Sequence, residues 1–191
     1  MGWFSPIKGQ YPSLAQIDKT LNVGAGETGI TRGSLIYVDP GASPQGGEGV
    51  FRIANATQAT DATADLFVAL QGQDDFVAGM AGTIGQGPAT DENEVPGTAR
   101  ITGLSVRMPL EFQTDQYAGN LGVGDYLTVG VDGDVEGLFV AHTAGDNVIA
   151  QVTAAPFERW VNDAVAVEGR RTGAAVTVIQ ARFVWVPKFT A

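Results

Sequence analysis

The chain reads as a mainly β protein: a small β-barrel or β-sandwich domain behind an extended N-terminal arm. Three observations predict this. Twenty-six Gly and nine Pro among 191 residues interrupt long helices, while abundant Val and Thr favour the pleated, half-buried surface of a strand. The apolar runs are short and bounded by Gly, Pro, Asp and Asn. Between Gly119 and Ala154 three of them succeed one another: Gly124-Asp125-Tyr126-Leu127-Thr128-Val129, then Val131-Asp132-Gly133-Asp134-Val135, then Val148-Ile149-Ala150-Gln151-Val152. That order is strand, tight turn, strand, connection, strand. Asp132-Gly133 predicts a two-residue hairpin turn, because glycine has no Cβ to clash at positive φ and aspartate tolerates the left-handed region.

Residues 1 to 33 differ from the rest. Trp3, Phe4, Ile7, Tyr11 and Leu14 are spread among Gly2, Pro6, Gly9 and Pro12 without alternation, which predicts an arm and not a sheet strand. A short amphipathic turn or two runs from Ser13 through Leu14, Ile17 and Leu21 and stops at Asn22-Val23-Gly24-Ala25-Gly26. Aromatic rings on such an arm must be buried, either on their own domain or on a neighbouring subunit.

The β-rich domain is expected over 34–191. Leu35-Ile36-Tyr37-Val38, Val50-Phe51-Arg52-Ile53 and Leu66-Phe67-Val68-Ala69-Leu70 are three strands separated by turn residues. Residues 72 to 100, with Asp74-Asp75 and Asp91-Glu92-Asn93-Glu94, read as a long solvated loop. Leu104, Val106, Met108, Leu110 and Phe112 then alternate with Ser105, Arg107, Pro109 and Glu111. One strand with a buried face follows from that period of two, and Pro109, which cannot donate to a ladder, places it at an edge or a bulge. After Pro156, the spacing of Phe157, Trp160, Val161, Ala164 and Val165 fits a short helix, with Asp163 to Val167 open to a strand reading as well. Val176 to Val186 is a long β-branched and aromatic strand, ended by Pro187 and preceded by a basic loop tip, Gly169-Arg170-Arg171-Thr172-Gly173.

Composition narrows the chemistry. A chain of this length buries roughly 70% of the surface its unfolded form exposes, so no staples are required. There is no Cys, hence no disulfide framework, thiolate metal site or cysteine nucleophile. Apolar runs fall short of the ~20 residues of a membrane helix, and Met1-Gly2-Trp3-Phe4-Ser5-Pro6 lacks a basic region followed by an apolar one, so an unsecreted chain without membrane contact is expected. The net charge of −10 is concentrated: Asp61 to Asp146 holds fourteen acids and two bases, net −12. Such a surface repels phosphate backbones and argues against nucleic-acid binding.

The apparent motifs fail on context. Gly24-Ala25-Gly26-Glu27-Thr28-Gly29 spells a dinucleotide fingerprint, but no strand precedes it and Ile30 to Ile36 is not helical, so a hinge between arm and domain is expected there. Asp132-Gly133-Asp134 with Glu136 lacks the calcium-loop spacing. His142 is the single histidine and has neither a second His nor a Cys to build a zinc site, nor a nucleophile elbow to serve. Asn55-Ala56-Thr57 fits the glycosylation pattern that an unsecreted chain never uses. No catalytic, cofactor-binding or metal-binding residue is therefore assigned.

The 119–154 segment resembles the small β-domains that decorate and cement the capsids of tailed bacteriophages, whose recurring stretch runs G-D-x-L-x-V, D-G, then V-I-A-x-V. The resemblance covers the chain loosely from about Ile30 onward. It implies a non-enzymatic virion protein on the outer capsid surface, often a homotrimer at three-fold and quasi-three-fold positions, clamping adjacent major capsid subunits. Extended arms are common in such proteins. On this reading Trp3, Phe4 and Tyr11 are buried capsid-contact anchors, Arg170 and Arg171 are charge contacts, and deleting residues 1 to 20 leaves a folded domain that binds capsids more weakly. The rival expectation is a receptor- or carbohydrate-binding β-module of a virion fibre or tail, which needs exposed aromatic platforms near loop tips.

Overall fold

The computed structural model describes residues 2–9, 18–24, 26–27, 29–42, 49–70, 100–167 and 170–188. Eleven strands are placed: β1 (Phe4–Gly9), β2 (Asp18–Asn22), β3 (Leu35–Asp39), β4 (Val50–Ile53), β5 (Leu66–Ala69), β6 (Arg100–Ser105), β7 (Leu110–Thr114), β8 (Tyr126–Val129), β9 (Phe139–Ala141), β10 (Val148–Val167) and β11 (Arg170–Val186). One short helix, α1 (Ala56–Thr60), lies between β4 and β5. A six-stranded sheet runs β1-β7-β11-β10-β8-β9 and a five-stranded sheet runs β2-β6-β5-β3-β4, with antiparallel pairing throughout both. The architecture is sandwich-like, and neither sheet closes into a barrel.

Successive residues of a strand face opposite sides, so a sheet buried on both faces needs strands that are apolar throughout. β5 is such a strand. Leu66 and Val68 enter the large core between the sheets, while Phe67 and Ala69 enter a second, smaller core on the other face of the five-stranded sheet. The large core centres on Phe112, whose ring lies 4.4 Å from that of Phe183, 5.2 Å from Phe4 and 5.3 Å from Phe139, tying β7 to β11, β1 and β9. The smaller core sits in the hollow of a strongly curled sheet. Its two edge strands meet where Val23 pairs with Phe51 and the Gly24 N–H donates to the Phe51 carbonyl at 2.9 Å. Curling this tightly leaves no room for a side chain at Gly103, where a Cβ would lie 2.8 Å from Phe51 Cζ and 2.9 Å from Phe67 Cβ.

One buried polar side chain ties three joints of the body together. Asn147 is fully buried; its Nδ2 donates to the carbonyls of Gln58 (3.1 Å) and Asp61 (2.8 Å), and its Oδ1 accepts from the Lys188 N–H at 2.8 Å. One side chain thus holds the helix end, the following turn and the end of β11.

Several expectations are corrected here. The described parts of residues 1–33 are not an arm free of sheet structure: β1 pairs with β7 and β2 with β6. Alternation was hidden because β1 is an edge strand, where Pro6 is tolerated, and its register slips between Pro6 and Lys8, leaving Ile7 46% exposed. Tyr11 and the amphipathic turn from Ser13 through Leu14 and Ile17 lie outside the described residues; Leu21 is a strand residue of β2. The run from Leu104 to Phe112 is not one strand. β6 ends in one sheet and β7 begins in the other, and Val106 and Met108 stay buried in the link because it crosses the core edge, which preserves the alternation.

The Asp132-Gly133 pair is not a two-residue hairpin turn. β8 and β9 are joined by residues 130–138, which include the 3-10 turn Gly133–Val135, and Asp132 keeps an extended φ of −115°. The helical spacing after Pro156 is also overruled, since Phe157 to Val167 continues β10 and Pro156 falls at a register shift between Ala154 and Phe157. The long acidic loop expected at 72–100 falls on residues 71–99, outside the described set, apart from Arg100, which opens β6. Helix α1 was not anticipated. Its signal is the capping box at Asn55, whose Oδ1 accepts from the Thr57 N–H at 2.9 Å while Gln58 Oε1 accepts from the Asn55 N–H at 3.3 Å.

Candidate interaction surface

The last two strands are far longer than the sheet that holds them. β10 pairs with β8 only at Ala150 and Gln151, and β11 pairs with β7 only from Ile179 to Arg182. Beyond these positions they pair with one another: Glu158 with Thr177, Arg159 with Val176, Trp160 with Ala175, Val161 with Ala174 and Asn162 with Gly173. After a register shift Ala166 pairs with Arg171 and Val167 with Arg170. Among the described residues, Glu158 to Val167 and Arg170 to Thr177 therefore form a two-stranded ribbon, about 33 Å long at ~3.3 Å per residue. Its sequence mixes apolar stretches, Trp160-Val161, Ala164 to Val167 and Ala174 to Val176, with Glu158, Arg159, Asn162, Asp163, Glu168, Arg170 and Arg171.

The root of the ribbon is braced on the outer face of the six-stranded sheet. Phe112 faces the core, so its neighbours Glu111 and Gln113 face outward. Thr153 Oγ1 donates to Glu111 Oε1 at 3.0 Å, Gln180 Nε2 donates to the same oxygen at 2.8 Å, and Gln113 Nε2 donates to Gln180 Oε1 at 2.9 Å. Arg159 completes the chain: its Nη1 donates to Gln113 Oε1, and its guanidinium carbon lies 5.1 Å from the centre of the Trp3 ring. Gln113 is only 7% exposed beneath this cover. Trp3 is fixed in turn through its backbone, its N–H donating to Asp115 Oδ1 at 2.7 Å and its carbonyl accepting from Thr114 Oγ1 at 2.9 Å.

The candidate contact residues are thus divided. Trp3, just before β1, is half-buried beneath Arg159 at the ribbon root, whereas Arg170 and Arg171 open β11 opposite Val167 and Ala166, so the fold does not bring Trp3 together with the two arginines. Phe4 joins neither. It is 5% exposed with its ring on Phe112, serving the protein's own core, because adjacent strand residues face opposite sides and Trp3 takes the outer one. Tyr11 lies outside the described residues. The sequence reading missed Arg159, whose role is visible only once β1 and β10 converge, and two exposed apolar side chains beside the ribbon root, Val123 (66%) and Tyr126 (50%).

Elsewhere the titrating groups do structural work. Arg52 donates to Asp39 Oδ2 at 2.9 Å and to Glu27 Oε1 at 3.0 Å, and the hydrogen bonds to Asp39 and then Glu27 raise its pKa above the ordinary guanidinium value. Glu27 Oε2 also accepts from the Ile53 N–H at 3.3 Å, so the glycine-rich stretch after β2 is a turn clamped to β4 and not a free hinge. Burial raises the phenols of Tyr37 and Tyr117, and hydrogen bonds from Thr63 lower the Asp61 carboxyl. His142 Nε2 lies 3.2 Å from the Asp146 carbonyl. Asp132, Asp134 and Glu136 are exposed, and among the described residues no three His, Cys, Asp or Glu side chains are grouped to hold a metal ion. No helix among the described residues is long and apolar enough to cross a membrane.

No family model, curated protein or solved structure matches this chain.

Proposed function

We propose that the protein is a structural virion component that binds the outer surface of a phage capsid, cements adjacent major capsid subunits and associates with itself, acting by contact and not by catalysis. The observation that carries this reading is the β10–β11 ribbon, braced at its root by Arg159 on Trp3 and, among the described residues, paired beyond that root only with itself. A two-stranded ribbon is marginal alone in water and exposes two unpaired edges, so its natural state is against another surface. The resemblance of the 119–154 segment to capsid decoration domains names the surface.

Physically, cementing is avidity. A protein that bridges several shell subunits must lose all of its contacts before any pair separates, so modest contacts at Trp3, Arg170, Arg171 and the ribbon between them suffice. The test is sedimentation of the purified chain with purified shells, followed by heating of shells with and without it. The reading expects co-sedimentation and a higher rupture temperature. A chain left in the supernatant, with shells rupturing as before, contradicts it.

A further inference from the structure

We infer that the row Tyr126, Gln151 and Arg182, on the outer face of the six-stranded sheet, is a second docking surface, which takes a carboxylate of a shell subunit on Arg182 and an apolar side chain of that subunit against Tyr126 and Val123. This rests on the proposed reading for its partner and adds a place on the body where that partner binds.

Strand register fixes the row. Tyr126 of β8 lies opposite Gln151 of β10, and Gln151 lies opposite Arg182 of β11. Their chain neighbours Leu127, Ala150, Val152, Ala181 and Phe183 enter the large core, so the three side chains of the row share the outer face. At ~4.8 Å between neighbouring strands, Tyr126 and Arg182 start about 10 Å apart. Gln151 Nε2 donates to the Gly124 carbonyl at 3.2 Å, which ties the middle of the row to the turn that carries Val123. Val123 is 66% exposed and Tyr126 50%, the two most exposed large apolar side chains among those described. Asp125, between them, is engaged by the Gly122 N–H at 2.7 Å.

Arg182 sets the partner's chemistry. Arg52, Arg100, Arg107 and Arg159 each donate to a carboxylate, a carbonyl or a side-chain amide of this chain. Arg182 is exposed and, among the described residues, its guanidinium has no hydrogen bond or ion pair. Its cross-strand neighbour Glu111 is engaged elsewhere, with Oε1 accepting from Thr153 Oγ1 at 3.0 Å and from Gln180 Nε2 at 2.8 Å. A planar cation without an anion, in a chain of net charge −10, is matched by a carboxylate from outside, which its fork can hold through two parallel hydrogen bonds. The rest of the row selects a protein as the carrier of that carboxylate. Exposed tyrosine and arginine beside an apolar side chain are the groups that anchor protein interfaces, whereas a phosphate polymer would be repelled by the acids of 61–146 around Tyr126. Arg182 lies five residues along β11 from Thr177, about 16 Å at ~3.3 Å per residue, so one partner can touch both row and ribbon, and the two contacts reinforce each other.

Sedimentation with purified shells at low and high salt, for wild type, Arg182→Gln, Arg182→Lys and Tyr126→Ser, tests this. Arg182→Gln removes the charge without repelling Glu111 and is expected to weaken shell affinity about tenfold and to flatten its salt dependence. Arg182→Lys, which keeps the charge and loses the fork, is expected to fall between that variant and wild type. Tyr126→Ser is expected to weaken affinity about tenfold with the salt dependence unchanged. Thermal unfolding checks that the variants are folded; both substituted positions are exposed. If wild type binds shells and Arg182→Gln and Tyr126→Ser bind them as tightly, the inference is overturned while the capsid reading stands. Variants that bind shells like wild type but lose self-association in sedimentation velocity reassign the surface to a second copy and overturn the inference as well. A wild type left in the supernatant overturns the capsid reading, and the inference with it.

Discussion

The two halves of strand β10 have the same length scale and opposite surroundings. From Val148 to Val152 it lies between β11 and β8, with Ile149, Ala150 and Val152 buried in the large core. From Glu158 to Val167 its only strand partner among the described residues is β11. The first half is held by what the chain itself supplies. The second is held, among the described residues, by its pairing with β11, and that difference is why the proposed function rests on the ribbon and not on the body.

If the body is self-sufficient, breaking its joints must cost much more than altering the ribbon. The largest effect is expected from removing residues 1–20. That deletion takes β1, most of β2 and the Phe4 ring from the aromatic cluster, and it is expected to abolish the cooperative unfolding transition seen by circular dichroism, contrary to what an arm would predict. Next, Asn147→Ala strands two carbonyls and the Lys188 N–H and is expected to cost about 3 kcal/mol in urea unfolding, since each buried group left unpaired costs about 1–3 kcal/mol. Gly103→Ala forces a methyl group against Phe51 and Phe67 and is expected to cost about 1–3 kcal/mol by the same measurement. Arg159→Ala is expected to change global stability by no more than about 1 kcal/mol, the scale of an exposed cation–π contact, while amide exchange in residues 158–177 quickens. If Arg159→Ala destabilised the whole chain as much as Asn147→Ala, ribbon and body would be one cooperative unit and the contrast would fail.

The same contrast explains what was legible in the sequence. β3, β4, β5, β8, the start of β10 and the end of β11 were readable because each packs on a core that enforces apolar positions, and burial is what writes periodicity into a strand. Past Pro156 the described pairing of β10 is with β11 alone, and Phe157, Trp160, Val161, Ala164 and Val165 fall at helical spacing although the backbone stays extended. Edge strands β1 and β2 were missed for a related reason: Pro6, the register slip and, in β2, a single buried side chain among those described, Leu21, leave too little pattern. Helix α1 is too short for periodicity and shows only in its Asn55 and Gln58 cap.

Of the candidate contacts, Arg170 and Arg171 read as part of a basic loop tip, whereas they are strand residues of β11 paired with Val167 and Ala166. Trp3 and Phe4 are adjacent aromatics that a strand must split between its faces, yet which one goes inward depends on Phe112, which is 108 or more positions away in the chain and beyond any local reading. Arg159 is a lone cation until Trp3 arrives beneath it.

The account stands or falls on the independence of ribbon and body. The decisive measurement replaces residues 160–175 with a short Asn-Gly turn and compares this protein with wild type in both thermal unfolding and co-sedimentation with shells. A variant that unfolds cooperatively at nearly the wild-type temperature and no longer binds shells is the predicted result; one that binds shells as tightly as wild type contradicts the claim that the ribbon is where the protein makes its contacts.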